Sequence, residues 1–262
     1  MQIFRESFSS FKGNKLSWLR LAFAPFMLYV FGFFVIMVAG IMSGQPIHTG
    51  QAPVGFWPVF AQILYFIFSI IASGSLYING YRYGILKEGG DHWWLLQMNA
   101  RLVKLILYSL LLGLIAIGFI LLGVGIVFAA HMMAHSVFLN VLLGTVVGLF
   151  GFYALIRLTL LFPLIAIERE NPLKTSWNLL KGNVLRLIGL SLIIGLKIIG
   201  IMLLGFIAIG FVGYLLFLIS PVLLVVPIVV GGLFIAYIWL LNWAVMTKAI
   251  SLVYLSFTEG KV

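Results

Sequence analysis

Two basic residues stand inside apolar stretches of this chain, Arg157 within residues 138–167 and Lys197 within residues 187–220. A charge at that depth is costly in hydrocarbon and is a functional candidate by default. No Asp or Glu lies in any apolar stretch, so neither cation has an evident buried partner. Two readings follow. In one, the pair lines a basic pocket open to the cytoplasm that holds a lipid phosphate or another anion. In the other, both side chains snorkel to the interface, with Glu168 or Glu170 beside Arg157.

The remaining chemistry-bearing residues exclude more than they offer. His131 and His135 are spaced i, i+4, with His48 in another loop, and such spacing can present two imidazoles to one metal. No carboxylate accompanies them, so they read as interfacial histidines and no metal site is expected. The chain has no cysteine, which removes disulfides, thiolate catalysis, Fe–S clusters and cysteine zinc sites. The serines and histidines lack an acid on their own side to complete a triad. A paired-carboxylate mechanism and proton-coupled transport both want an acid within the membrane, and none is present. The expectation is a protein that is not an enzyme and carries no cofactor.

These residues are positioned by a membrane bundle. Of 262 residues, 63% are hydrophobic and 8% charged, whereas a soluble domain carries about 25% charged residues. A span needs about 20 apolar residues. Residues 21–42, 56–78, 102–130, 138–167, 187–220 and 222–246 qualify. The connections alternate: 44–54, 131–137 and the turn at 220–221 carry no Lys, Arg, Asp or Glu. Segments 1–20, 82–104, 168–186 and 248–262 hold all six acids and every Lys and Arg except Arg157 and Lys197. By the positive-inside rule the charged segments and both termini are cytoplasmic. The net charge of +10 then serves orientation and anionic headgroups rather than nucleic acid. The first apolar run is longer than a signal peptide's and lacks a small-residue cleavage site, so it reads as a retained helix. Residues 187–220 are long enough to need a tilt or a bend, for which Gly205, Gly210 and Gly213 are candidates.

The chain also repeats. A shift of 82 residues superposes 102–125 on 184–207 with eleven identities, among them Ser109/Ser191, Gly113/Gly195 and Gly118/Gly200. They recur in pairs every four residues, one stripe on a helix. Shared small residues there predict close helix packing in lipid. Gly144-x-x-x-Gly148 is a second small-residue pattern, suited to a contact within the protein or to a dimer face. Asn79, Asn140 and Asn242 lie in or near spans and read as interhelical hydrogen bonds. Ser7-Phe8-x-x-Phe11-Lys12-Gly13-Asn14 parallels Ser176-Trp177-x-x-Leu180-Lys181-Gly182-Asn183, each just before a span, with Trp93, Trp94, Leu95 and Leu96 in the corresponding middle place. The expected fold is all-α: one polytopic membrane domain, residues 1–262, with six transmembrane helices. They form three helical-hairpin repeats, approximately 1–85, 86–168 and 169–262, each preceded by a short amphipathic cytoplasmic helix lying in the interface. Asn171 and Pro172 are expected as cap and first residue of the third such helix.

Phe162-Pro163-Leu164-Ile165-Ala166-Ile167-Glu168, then Asn171-Pro172-Leu173 and Ser176-Trp177-Asn178-Leu179-Leu180-Lys181-Gly182-Asn183, resembles a known pattern. It is similar to the membrane domain found beside some bacterial glycerophosphodiester phosphodiesterases, and to the stand-alone inner-membrane proteins related to it. There a span ends in P-x-x-x-x-E and an S-W-x-L-x-K-G helix enters the next one; Arg157 stands about where that family places a basic residue. The resemblance implies a bacterial inner-membrane location and no catalytic residues. The phosphodiesterase barrel has no room here. The functional expectation is a non-enzymatic inner-membrane protein in membrane organisation, lipid handling or support of a partner complex. The alternative is a transporter or channel for a small anionic or lipidic substrate. Membrane lipids and a membrane-protein partner are the expected company; the residues do not indicate an oligomeric state.

Overall fold

In lipid every backbone N–H and C=O must be satisfied within the chain, and for long apolar runs the α-helix is the direct solution. A computed structural model describes residues 2–42, 55–134 and 136–259. Among them there is no strand. The elements are α1 (Gln2–Gly13), α2 (Lys15–Met42), α3 (Phe56–Leu86), α4 (Ala100–Ala134), α5 (Val137–Arg157), α6 (Leu161–Ala166), α7 (Pro172–Leu179), α8 (Val184–Ile219), a 3-10 turn (Pro221–Leu224) and α9 (Val225–Glu259). Six stretches are long and apolar enough to cross a membrane: Lys15–Met42, Phe56–Leu86, Ala100–Met132, Val137–Ala166, Val184–Ile219 and Pro221–Thr258. The chain is a multi-pass membrane protein with an all-α fold.

Four local readings change. The fourth span is not one helix: α5 stops at Arg157 and α6 begins at Leu161. Pro163 has no N–H to offer the carbonyl of residue 159 and its ring crowds it. The break is instead closed by tight bonds, Thr159 N–H to the Ile156 carbonyl and Leu161 N–H to the Leu158 carbonyl, both 3.0 Å. The segment before α4 contains no helix; residues 87–99 are turn and extended chain. Lys87 and Gly89 take positive φ there, and the Leu95 and Gln97 backbones bond to side chains rather than to a helical ladder. α8, by contrast, runs unbroken for 36 residues. That is about 54 Å at 1.5 Å per residue, well beyond a hydrocarbon core of about 30 Å. Its length calls for tilt or extension past the core rather than a break. Lastly, Asn171 precedes Pro172 as expected, but in a left-handed conformation with no side-chain cap. Its carbonyl closes the first turn by accepting from Thr175 N–H at 3.0 Å.

The chain divides into two compact units: residues 1–23, 80–94 and 185–262, and residues 24–79 and 95–184. In the first, α1 turns Ile3, Ser7, Phe8 and Phe11 into protein. Its apolar face is thus covered by neighbouring helices rather than lying free in the interface. Phe11 meets the Tyr237 ring of α9 edge-on at 6.1 Å. Trp18, fully buried, stands edge-on to Tyr83 at 5.0 Å and to Trp243 at 5.4 Å. Gly80 admits this packing, since a Cβ there would lie 2.8 Å from both Trp243 and Thr247. The second unit is centred on α6, whose Leu161, Leu164, Ile165 and Ala166 are buried. In it α4 packs along α5, with Gly151 against Phe119 and Gly144 against Val127.

Candidate functional site

Arg157 is the last residue of α5, where the proline-induced break releases the chain, and it is 7% exposed. Its Nε and Nη2 donate to the Trp177 carbonyl of α7 at 3.2 and 2.6 Å. The guanidinium carbon lies 3.9 Å from the Trp177 ring centroid and 5.6 Å from that of Tyr153. Ser176 Oγ donates back to the Arg157 carbonyl at 2.8 Å. α7 is therefore pinned to the end of α5 through two consecutive residues. No carboxylate joins in: among the described residues the ion pairs are Arg20–Asp91, Arg82–Glu88 and Arg101–Glu168. Glu168, expected beside Arg157, bonds Arg101 at 2.9 Å instead. Glu170 makes no ion pair there either. Nη1 of Arg157 makes no hydrogen bond to the described residues.

Lys197 belongs to the other unit and is exposed, on α8. Its ammonium lies 4.0 Å from the Phe8 ring centroid and 4.8 Å from that of Phe4. A ring face offers a cation an electrostatic seat without neutralising it. Phe8 and Trp177 occupy the same position in the two Ser-aromatic motifs. Each motif's aromatic residue thus seats the cation of one long span: Phe8 that of α8, Trp177 that of α5. The buried serines, Ser7 and Ser176, both spend their hydroxyls on carbonyls, of Ile3 and Arg157. Cations and motifs were visible separately in the sequence; their pairing was not.

The middle connector is held by another polar set. Asn79, 1% exposed, donates to the Leu95 carbonyl at 2.8 Å and accepts from Gln97 Nε2 at 3.0 Å. Ser75 Oγ accepts from Gln97 N–H at 2.9 Å. Asn79 thus ties α3 to the connector. Asn140 does join two helices, with its Nδ2 3.1 Å from His131 Nδ1. His48 and His135 lie outside the described residues, and no group of three metal-binding side chains occurs within them.

The small-residue stripe lies elsewhere than expected. A Cβ on Gly113, Gly118, Gly195, Gly200 or Gly148 would meet nothing within 4 Å, whereas one on Gly144 would lie 3.3 Å from Val127. Ser109 and Ser191 on the same stripe are half-buried. Close packing falls instead to Gly74 against Leu102, Gly80 against Trp243, Gly84 against Ser251 and Gly205 against Phe234. Between α4 and α5 lies a groove of about 830 Å³, lined by Phe119, Val127, Val147 and Leu155, with His131 and Asn140 at one end.

No family model, curated protein or solved structure matches the chain. The likeness of its Pro163–Glu168 and Ser176–Gly182 patterns therefore rests on those residues alone.

Proposed function

We propose that the chain is a non-enzymatic bacterial inner-membrane protein that handles anionic lipid, with Arg157 as a headgroup contact. The observation that carries this is a guanidinium held among protein atoms by neutral partners only. A carbonyl and a ring fix its direction and leave its charge intact, which an anionic headgroup would complete. The groove between α4 and α5 is lined by apolar side chains except at its His131–Asn140 end, so it suits an acyl chain better than a hydrated small anion. That favours lipid over the transport of a soluble anion.

In this reading both termini are cytoplasmic, because the charged segments are. Three hairpin units, descended by duplication, account for the paired motifs. Each connector bonds or packs against the returning helix of another hairpin: residues 95–97 on α3, α7 on α5 and α1 on α9. The resemblance to the membrane domain beside glycerophosphodiester phosphodiesterases accords with this location.

The test is native mass spectrometry of the protein in mild detergent. A phosphatidylglycerol adduct retained by the unaltered chain and lost in Arg157→Leu is expected. Lys197→Leu, exposed and seated on rings, should weaken it less. Adducts indifferent to Arg157→Leu would overturn the headgroup reading and leave a scaffold for partner proteins.

A further inference from the structure

A second cluster, in the other unit and independent of Arg157, is rich in donors and poor in acceptors. It surrounds Tyr83 and Gly84 at the charged end of α3. Lys248 of α9 is 6% exposed, and its Nζ donates to the Gly84 carbonyl at 2.9 Å. An ammonium has three N–H groups, so one carbonyl leaves most of its capacity unused. Glu6 of α1, an acid of the same unit, already accepts from Gln2 Nε2 at 2.9 Å. Lys87 follows α3 at φ 62°, its N–H bonded to the Tyr83 carbonyl at 3.2 Å and its ammonium 5.6 Å from the Tyr83 ring centroid.

Two further donors lie in the same unit: Trp18 and Trp243 are buried, and neither indole N–H has a hydrogen-bond partner among the described residues. A buried indole N–H is ordinarily bonded, and one that is not needs a reason. The Trp18 ring stands against Tyr83, and that of Trp243 against Trp18. The acids near this end are otherwise engaged, Glu88 with Arg82 and Asp91 with Arg20. Two ammoniums against consecutive residues of one helix end, one of them buried with a single acceptor, favour an acceptor that carries negative charge.

We propose that Lys248 and Lys87 form a phosphate-binding site at Tyr83–Gly84, with the Trp18 ring packed on Tyr83 as its reporter. Phosphate oxygens would accept from both ammoniums at once. The ligand chemistry is a phosphate group, whose source is either a lipid headgroup or free phosphate.

The seven tryptophans give a small set of indole N–H signals, assignable by substitution in the isotopically labelled full chain. Inorganic phosphate is titrated into the detergent-solubilised protein. In a parallel arm the protein is placed in phosphatidylcholine nanodiscs with and without phosphatidylglycerol. A shift of the Trp18 or Trp243 signal with inorganic phosphate assigns the site to free phosphate. A shift with phosphatidylglycerol alone assigns it to lipid. Lys248→Met should weaken the response about tenfold, the size of one charge-assisted hydrogen bond. Lys248→Arg should largely restore it, and the exposed Lys87→Met tests the second ammonium without disturbing the core. Arg157→Leu should leave these signals unchanged, which separates this site from the headgroup contact above. The proposal is overturned if neither probe moves either signal in the folded protein, or if Lys248→Met and Lys87→Met respond like the unaltered chain.

Discussion

Replacing Trp177 by Leu separates what the ring does at Arg157 from what the main chain does. The substitution removes a face 3.9 Å from the guanidinium carbon but keeps the carbonyl that receives Nε and Nη2. A cation–π contact contributes about 0.5–1 kcal/mol when exposed and about 2 when desolvated. Arg157 is buried but the Trp177 side is 37% exposed, so a value near 1 kcal/mol is expected. The Ser176 bond to the Arg157 carbonyl is untouched and should keep α7 in place. A double-mutant cycle with Arg157→Met isolates the pair from the general cost of changing either residue. The assay is reversible unfolding of the detergent-solubilised protein, read as ellipticity, for the parent, both singles and the double. A loss of about 1 kcal/mol corresponds to a fall in Tm of about 2–4 °C for a chain of this size. Retention of phosphatidylglycerol should survive Trp177→Leu, since the guanidinium is still fixed by a main-chain oxygen. A coupling energy below about 0.3 kcal/mol, the ordinary scatter of additivity, would refute the ring as the seat of the cation.

The remaining predictions concern packing and orientation. Gly80→Ala places a methyl 2.8 Å from Trp243 and Thr247 and should destabilise the fold by about 1–3 kcal/mol. Gly113→Ala and Gly195→Ala enter open space and should be neutral or gain up to about 1 kcal/mol from helix propensity. The opposite ranking in the same unfolding assay would show that the duplicated stripe packs after all. Because the chain has no cysteine, single replacements report topology cleanly. Ser9→Cys, Asn99→Cys and Thr258→Cys, all exposed, should react with an impermeant maleimide in inverted vesicles, and Ser220→Cys in intact spheroplasts. Labelling with the sides exchanged would overturn the cytoplasmic assignment of the termini.

The six spans were legible because hydropathy over about 20 residues is a property of the segment itself. What escaped depended on residues far away in the chain. Residues 93–96 were aligned with the two Ser-aromatic helices, but Asn79 and Ser75, 16 and 22 positions from their partners, hold the backbone extended instead. The glycine stripe illustrates the same limit. Helical periodicity identifies which glycines share a face, not whether another helix stands opposite, and Gly195 faces open space while Gly80 is pressed by an indole. The break after Arg157 had a local signal in Pro163, whose effect reaches back four residues. At the site, the depth of Arg157 was legible but its hydrogen-bond partner is a main-chain carbonyl, and no side-chain identity announces that. The Trp177 ring did have a signal, in the parallel between its motif and the one holding Phe8.

The distribution of charge explains why the chain can hold such cations at all. In the ion pairs described above the carboxylate side chain is at least half exposed, with Asp91 at 96%, Glu88 at 52% and Glu168 at 50%. Solvent screens pairs of that kind, and they contribute little to stability. Arg157 and Lys197 within the spans, and the buried Lys248 at the charged end of α3, instead meet carbonyls and ring faces. A carboxylate at those positions would have stabilised each cation more strongly and cancelled it. Neutral partners do the reverse: they position the charge, leave it uncompensated, and so preserve its attraction for an external anion. An acid-poor chain of net charge +10 that places its few acids at the exposed ends keeps that attraction where a phosphate headgroup would meet it.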